Sequence, residues 1–239
     1  MKNFLAVISA ILCLCLCACN ANDSPGTSEN NSNPNQPLGY PFSFDSLADF
    51  QNAVNEEENL YAEVSEMKYN QKTKDNFKVF VQKLKAQGIP VPYLNGQVIE
   101  FRYKEGHSGI SLFPFERYDL PCIFYHPAVA TGENLYITFT YLPDSITETQ
   151  EELTASEVRK ILSPNSANIG NLGEQHKSIY EQKIQLADRE VTALVFEYKT
   201  DNRNSTFFVY DDLLIEVRNN PEVWTDAWFS TLSFASFNG

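Results

Sequence analysis

From Tyr40 onward the chain alternates between two hydrophobic rhythms, and the changes of rhythm outline its elements. Leu47, Phe50 and Val54 recur at helical spacing behind Ser46-Leu-Ala-Asp49, a variant of the capping box that opens helices. Phe77, Phe80, Val81 and Leu84 follow the i, i+3, i+4, i+7 rule, with Lys74, Lys78 and Lys85 mostly turned outward. Gly88 is placed to end that helix and Pro90 to prevent its return. Thr154-Ala-Ser-Glu157 is a full capping box before Val158, Ile161 and Leu162, closed by Pro164. Asn220-Pro221, a cap followed by proline at a first helical position, predicts a last helix running through Trp224 and Trp228.

Between these stretches the period drops to two. Val98 to Lys104 alternates Ile99, Phe101 and Tyr103 with Glu100, Arg102 and Lys104, the pattern of a strand buried on one face. Leu135 to Tyr141 alternates likewise, with Tyr136, Thr138 and Thr140 on its second face. Ile110 to Phe113, Val191 to Tyr198, Thr206 to Tyr210 and Leu213 to Arg218 also read as strands. Turn signals at Glu105-Gly106, Thr131-Gly132, Asp201-Asn202 and Asp211-Asp212 leave only short loops between neighbours, which favours hairpins over crossovers. The expectation is an α+β fold: a mostly antiparallel sheet with about four helices. Residues 97–162 and 177–232 each read as strands followed by a helix, so two similar halves are a further possibility.

The first 39 residues follow neither rhythm. Lys2 is followed by an apolar run from Phe4 to Ala18 broken only by Ser9, the layout of a secretory signal peptide. The run is shorter than the ~20 residues that a bilayer-spanning helix needs. It contains Cys13, Cys15, Cys17 and Cys19, and that two-residue spacing is wrong for a zinc framework, which uses Cys-x2-4-Cys with a distant second pair. Leu16-Cys17-Ala18-Cys19 instead resembles the lipobox of bacterial lipoproteins. Cys19 is the one cysteine of the four that follows a small residue; the others follow leucine. The resemblance covers residues 1–19 alone. It implies that residues 1–18 are removed and that Cys19 carries the fatty chains, of palmitate type. Two or more acyl chains hold a protein stably to a membrane, whereas one holds it only marginally. The implied address is the cell membrane or the outer membrane, on the extracytoplasmic side.

Residues 19–39 read as a tether. Positions 20–39 hold six Asn, three Ser, three Pro and two Gly, a composition that cannot bury enough apolar surface to offset chain entropy. A flexible coil of that length spans roughly 25 Å. Residues 40–239 then form a single folded domain, long enough for one good core.

Charge narrows the partners. The chain carries a formal charge of −13, and loss of residues 1–18, with their one lysine and no acid, makes it −14. Nucleic acid, bound by neutralising phosphates, is an unsuitable partner. Cys122 is the only cysteine outside residues 13–19, so no disulfide within the domain is expected.

Candidate chemistry is sparse. Gly106-His-Ser-Gly109 has glycines two before and one after Ser108, which does not match the Gly-x-Ser-x-Gly nucleophile elbow, and a hairpin loop accounts for it better. His107, His126 and His176 include no His-x-His and no i, i+4 pair, so they offer no metal clip. Cys122 would act as a nucleophile only with a histidine brought to it by the fold. Glu56-Glu57-Glu58 and Asp211-Asp212 lack the spacing of a calcium loop and read as solvated charge and a turn. No catalytic, cofactor or metal residues are therefore assigned, and Cys19 is the one site named.

The aromatic load is the suggestive property: 17 Phe, 12 Tyr and 2 Trp. Tyr136, Tyr141, Tyr180 and Tyr198 sit in strand-like stretches. Gathered on one exposed face they would stack on sugars or hold a protein; as core rings they would keep only their hydroxyls at the edge. The expectation is a lipid-anchored, non-catalytic binding module that meets an envelope protein or glycan through an exposed aromatic patch. The alternative is an extracytoplasmic hydrolase whose site the sequence does not display.

Overall fold

A computed structural model of the chain describes residues 42–100, 109–114, 120–127, 135–143, 176–199 and 202–238. All of them belong to one compact unit, Leu38–Gly239. In order the elements are β1 (Phe42–Phe44), α1 (Leu47–Asn55), α2 (Glu57–Glu66), α3 (Gln71–Gln87), β2 (Ile89–Leu94) and β3 (Gln97–Val98). There follow β4 (Ile110–Phe113), β5 (Cys122–Tyr125), β6 (Tyr136–Tyr141), β7 (His176–Gln185), β8 (Glu190–Tyr198), β9 (Asn204–Tyr210) and β10 (Leu213–Asn219). A short helix α4 (Asp226–Phe229) and β11 (Leu232–Phe237) complete the described chain.

The architecture is α+β and dominated by sheet. Eight strands pair in the order β1-β4-β5-β6-β10-β9-β8-β7, and a smaller sheet has the order β11-β2-β3. Every pairing is antiparallel. Alternation decides which side is core: Leu112, Ile123, Phe139, Ile215 and Phe208 lie in register across five strands, none more than 1 % exposed. The helices bring Phe50, Val54, Leu60, Phe77 and Phe80 to this same side, and the small sheet brings Ile89, Val91 and Leu232. The second face carries a smaller apolar cluster around Leu194, Phe196, Phe207 and Leu214.

Local chemistry explains the boundaries. The Ser46 hydroxyl accepts from the Asp49 amide at 3.1 Å and donates to the Asp49 carboxylate at 2.7 Å, closing the expected box. Asn70, which the hydrophobic pattern does not announce, caps α3 by accepting from the Thr73 amide at 2.9 Å. At the other end Gly88 takes φ +90°, and a Cβ there would collide with the Asn238 side chain and lie 2.7 Å from the Phe237 carbonyl oxygen.

Two expectations need correction. The strand from Val98 to Lys104 is paired only at Gln97–Val98 among the described residues, and Ile99 and Glu100 are already outside it. Pro92 supplies the reason: its carbonyl accepts from the Ile99 amide at 3.1 Å, but it has no N–H to return the bond, so the ladder lapses. Residues 101–104 lie outside the described residues. The helix expected from Pro221 is instead a turn: the Asn220 side chain accepts from the Glu222 amide at 2.9 Å and the Asn220 carbonyl accepts from Val223 and Trp224. Thr225 is extended, and only then do the four residues of α4 follow. Glu56-Glu57-Glu58 opens α2 with Glu56 and Glu58 exposed to solvent, and acids in the first turn face the positive end of the helix dipole. The helix expected at Thr154 to Leu162 lies outside the described residues.

Candidate functional site

Among the described residues, the core face opens beside α3. Where the two sheets meet the C-terminal half of α3, a cleft of about 390 Å³ remains. Its inner walls are Phe80 and Leu84 of α3, Phe139 and Tyr141 of β6, Ile215 of β10 and Phe234 of β11. Phe234 stands edge-on to Phe139 and Tyr210, with ring centroids 5.4 and 5.0 Å away. The outer rim holds Lys83, Asp211, Asp212 and Ser236.

The rim is organised by the β9–β10 hairpin. Tyr210 pairs with Leu213 across the two-residue turn Asp211-Asp212, and Asp211 takes φ 54°. Lys83, three residues after Phe80 on α3, reaches the Asp212 carboxylate at 2.7 Å. Its ammonium also lies 4.8 Å from the centre of the Tyr141 ring. Both partners of the ion pair are partly exposed, 26 % and 32 %. On the far side of the hairpin the Arg189 guanidinium stacks on Tyr210, 3.9 Å from the ring centre, and donates to Asp211 at 2.9 Å and to Asp188 at 3.0 Å.

Tyr210 ties these groups together. Its hydroxyl donates to Asp188 at 2.7 Å. Partial burial pushes its pKa up to about 12, aided by the hydrogen bond to Asp188 and that residue's charge. Partial burial also acts against ionisation of Asp188, but the hydrogen bonds from Tyr210 and Arg189 and the Arg189 charge outweigh it, so the carboxyl sits below its ordinary value. The rim therefore alternates fixed positive and negative groups above an apolar floor.

No protein-family model, no curated protein and no solved structure matches this chain. The cleft must be read from its own chemistry.

The residues singled out by sequence are scattered. Cys19, His107 and Ser108 lie outside the described residues. Cys122 is buried in β5 on the second face of the sheet, opposite Thr140. His126 is on the same face four residues further on, about 13 Å along the strand, and its ring stacks on Tyr136 at 4.7 Å. His176 opens β7, five strands from β5 and so about 24 Å across the sheet. The fold brings neither histidine to the Cys122 thiol. Among the described residues, no group of His, Cys, Asp and Glu is arranged to hold a metal ion.

The tyrosines do not form one row. Tyr136 and Tyr141 are five positions apart on β6 and point to opposite faces. Tyr180, on β7 opposite Val195, is exposed at 39 %, while Tyr198 of β8 lies on the other face. The large apolar side chains exposed among the described residues (Val79, Val98, Tyr180 and Val223) sit on separate elements and make no patch. Among the described residues, the half-buried rings of Phe113, Phe124 and Tyr136 meet on the second face, and aromatic rings also line the cleft on the core face. Asp211-Asp212 is the expected turn, yet both carboxylates are held by cations from α3 and from the β7–β8 connection.

Sequence reading also missed a polar cluster on the second face. The Ser205 hydroxyl donates to Glu216 at 2.9 Å, and Arg218 donates to the same carboxylate oxygen at 2.9 Å. Glu216 and Arg218 are on one side of β10 by alternation, so their spacing was the available signal.

Proposed function

We propose that this chain is a lipid-anchored binding module of the cell envelope, held by Cys19 to the cell membrane or outer membrane on the extracytoplasmic side. The observation that carries the binding reading is the cleft, a space of about 390 Å³ beside Phe234 under a rim of ordered charges, within the size range of small-ligand sites. The lipobox resemblance at residues 16–19 supports the address. Among the described residues no helix is long and apolar enough to cross a membrane.

The two-half organisation is part of the same proposal. The meanders β4-β5-β6 and β7-β8-β9-β10 meet through their last strands, β6 and β10, as two related units would about a shared axis. Against it, the place beside β4 that a fourth strand of the first half would take is held by β1.

Two measurements test the proposal. Mass spectrometry of the protein extracted from native membranes should find a diacylglyceryl group on Cys19 and no residues 1–18, and Cys19→Ala should leave the membrane fraction. An unmodified thiol overturns the anchor. For the cleft, a low-molecular-weight envelope extract should raise the melting temperature of the wild-type protein and not that of Ser236→Trp, whose indole fills the exposed end of the cleft. An equal shift in both overturns the binding site.

A further inference from the structure

We infer that β7 is a docking edge for a second copy of this chain. Two β7 strands add to each other antiparallel about a two-fold axis at Gln182, joining two sheets into one.

The edge is long and its side chains reach solvent. β7 has β8 on one side and, among the described residues, no strand on the other. Over its ten residues, alternate N–H and C=O groups point away from β8, where an added strand can take them. Tyr180, Glu181 and Lys183 are all exposed.

The charges select the register. A two-fold axis normal to the sheet sets residues equidistant from its centre opposite each other, on one face of the joint sheet. Centred on Gln182, it places Glu181 of each copy against Lys183 of the other, twice over. On the opposite face it places Tyr180 against Ile184, also twice, and gives the exposed tyrosine ring a cover. Centring on Glu181 or on Lys183 would oppose like charges, and centring on Tyr180 would oppose Lys177 to Lys183. Centring on Ile179 would again oppose unlike charges, Lys177 and Glu181. That register, however, lays the second strand across the irregular stretch between His176 and Ser178.

Lys183 also meets Glu190 of its own copy at 2.7 Å. The two side chains are 74 % and 52 % exposed, a setting in which an ion pair is weak, and an ammonium has three donors to share. Lysines on an outer strand usually deter strand addition. Here one register gives Lys183 a carboxylate on the second copy, and the others are refused. Both β7 edges are used at once, so the assembly closes at two copies.

The test is sedimentation equilibrium on residues 20–239, which hold the whole compact unit Leu38–Gly239 and need no detergent. Wild type is expected to pass from monomer to dimer, and no further, as its concentration rises. Glu181→Lys and Lys183→Glu each oppose like charges at both contacts, and each should weaken the dimer about tenfold or more. An equimolar mixture of the two variants restores unlike charges at both contacts and should dimerise as wild type does. So should the chain carrying both changes. A variant that merely misfolded could not be rescued by a second one. A wild type that stays monomeric or grows beyond two overturns the inference. So does a mixture that stays monomeric, and so does a Lys183→Glu chain that still dimerises like wild type.

Discussion

Gly88 shows how much one position carries. Its φ of +90° and the approach of the Phe237 carbonyl leave no room for a side chain, so Gly88→Ala is expected to cost about 2 kcal/mol or more, read from the denaturant midpoint. Tyrosines give a second residue-level test. The folded pKa of Tyr210 is raised, so its contribution to stability is complete below about pH 10 and is lost as the pH climbs to about 12. Tyr61 and Tyr69, also pushed up to about 12, act in the same direction. Alkaline unfolding should therefore fall in that window, with tyrosinate absorbance rising late. Tyr210→Phe should remove one late-titrating group and flatten the loss of stability. At this scale the sequence was informative wherever the interaction was local. The Ser46–Asp49 box and the Asp211-Asp212 turn were legible because partners sit within a few residues. Lys83 and Asp212 are 129 residues apart, and no local pattern couples them.

Elements were legible where apolar spacing was strong. α1, α3 and β6 match their patterns closely, whereas α2 offers only Leu60 and Val64 as buried apolar anchors behind an acidic start. β2 hid behind its prolines. Pro90 reads as a helix breaker, yet Pro90 and Pro92 both lie in β2 with their missing N–H groups on the side away from β11, so the β11 ladder through Ile89, Val91 and Tyr93 loses no donor. The Asn95-Gly96 turn that follows was an available signal: both residues have positive φ, as a two-residue hairpin of that sequence requires. Helix α3 positions Lys83, so its cap matters to the site. Asn70→Ala is expected to cost about 1 kcal/mol by thermal melt, and the loss should be larger than for an exposed mid-helix change such as Lys78→Ala.

For the whole molecule, antiparallel hairpins followed from short loops, but strand order did not. Nothing local says that β6 pairs with β10 or that β1 lies beside β4. The cleft arises from that order, because it is formed by β6, β10 and β11 together with α3, and so it was invisible in the chain. Phe139 stands at the centre of the arrangement, fully buried and packed edge-on against Tyr125 and Phe234. Phe139→Ala should cost about 3–5 kcal/mol and abolish the cooperative transition well before any surface change does. Among the described residues, the two outer strands of the large sheet are unequal: β1 has three residues and β7 has ten. A long outer strand is a template for unwanted fibril growth, and β7 is guarded by charged Lys177 and Lys183. Replacing both with isoleucine should leave the monomer's melting temperature nearly unchanged. On storage the same variant should form thioflavin-binding fibres that the wild-type protein does not, so these lysines would set shelf life without setting stability.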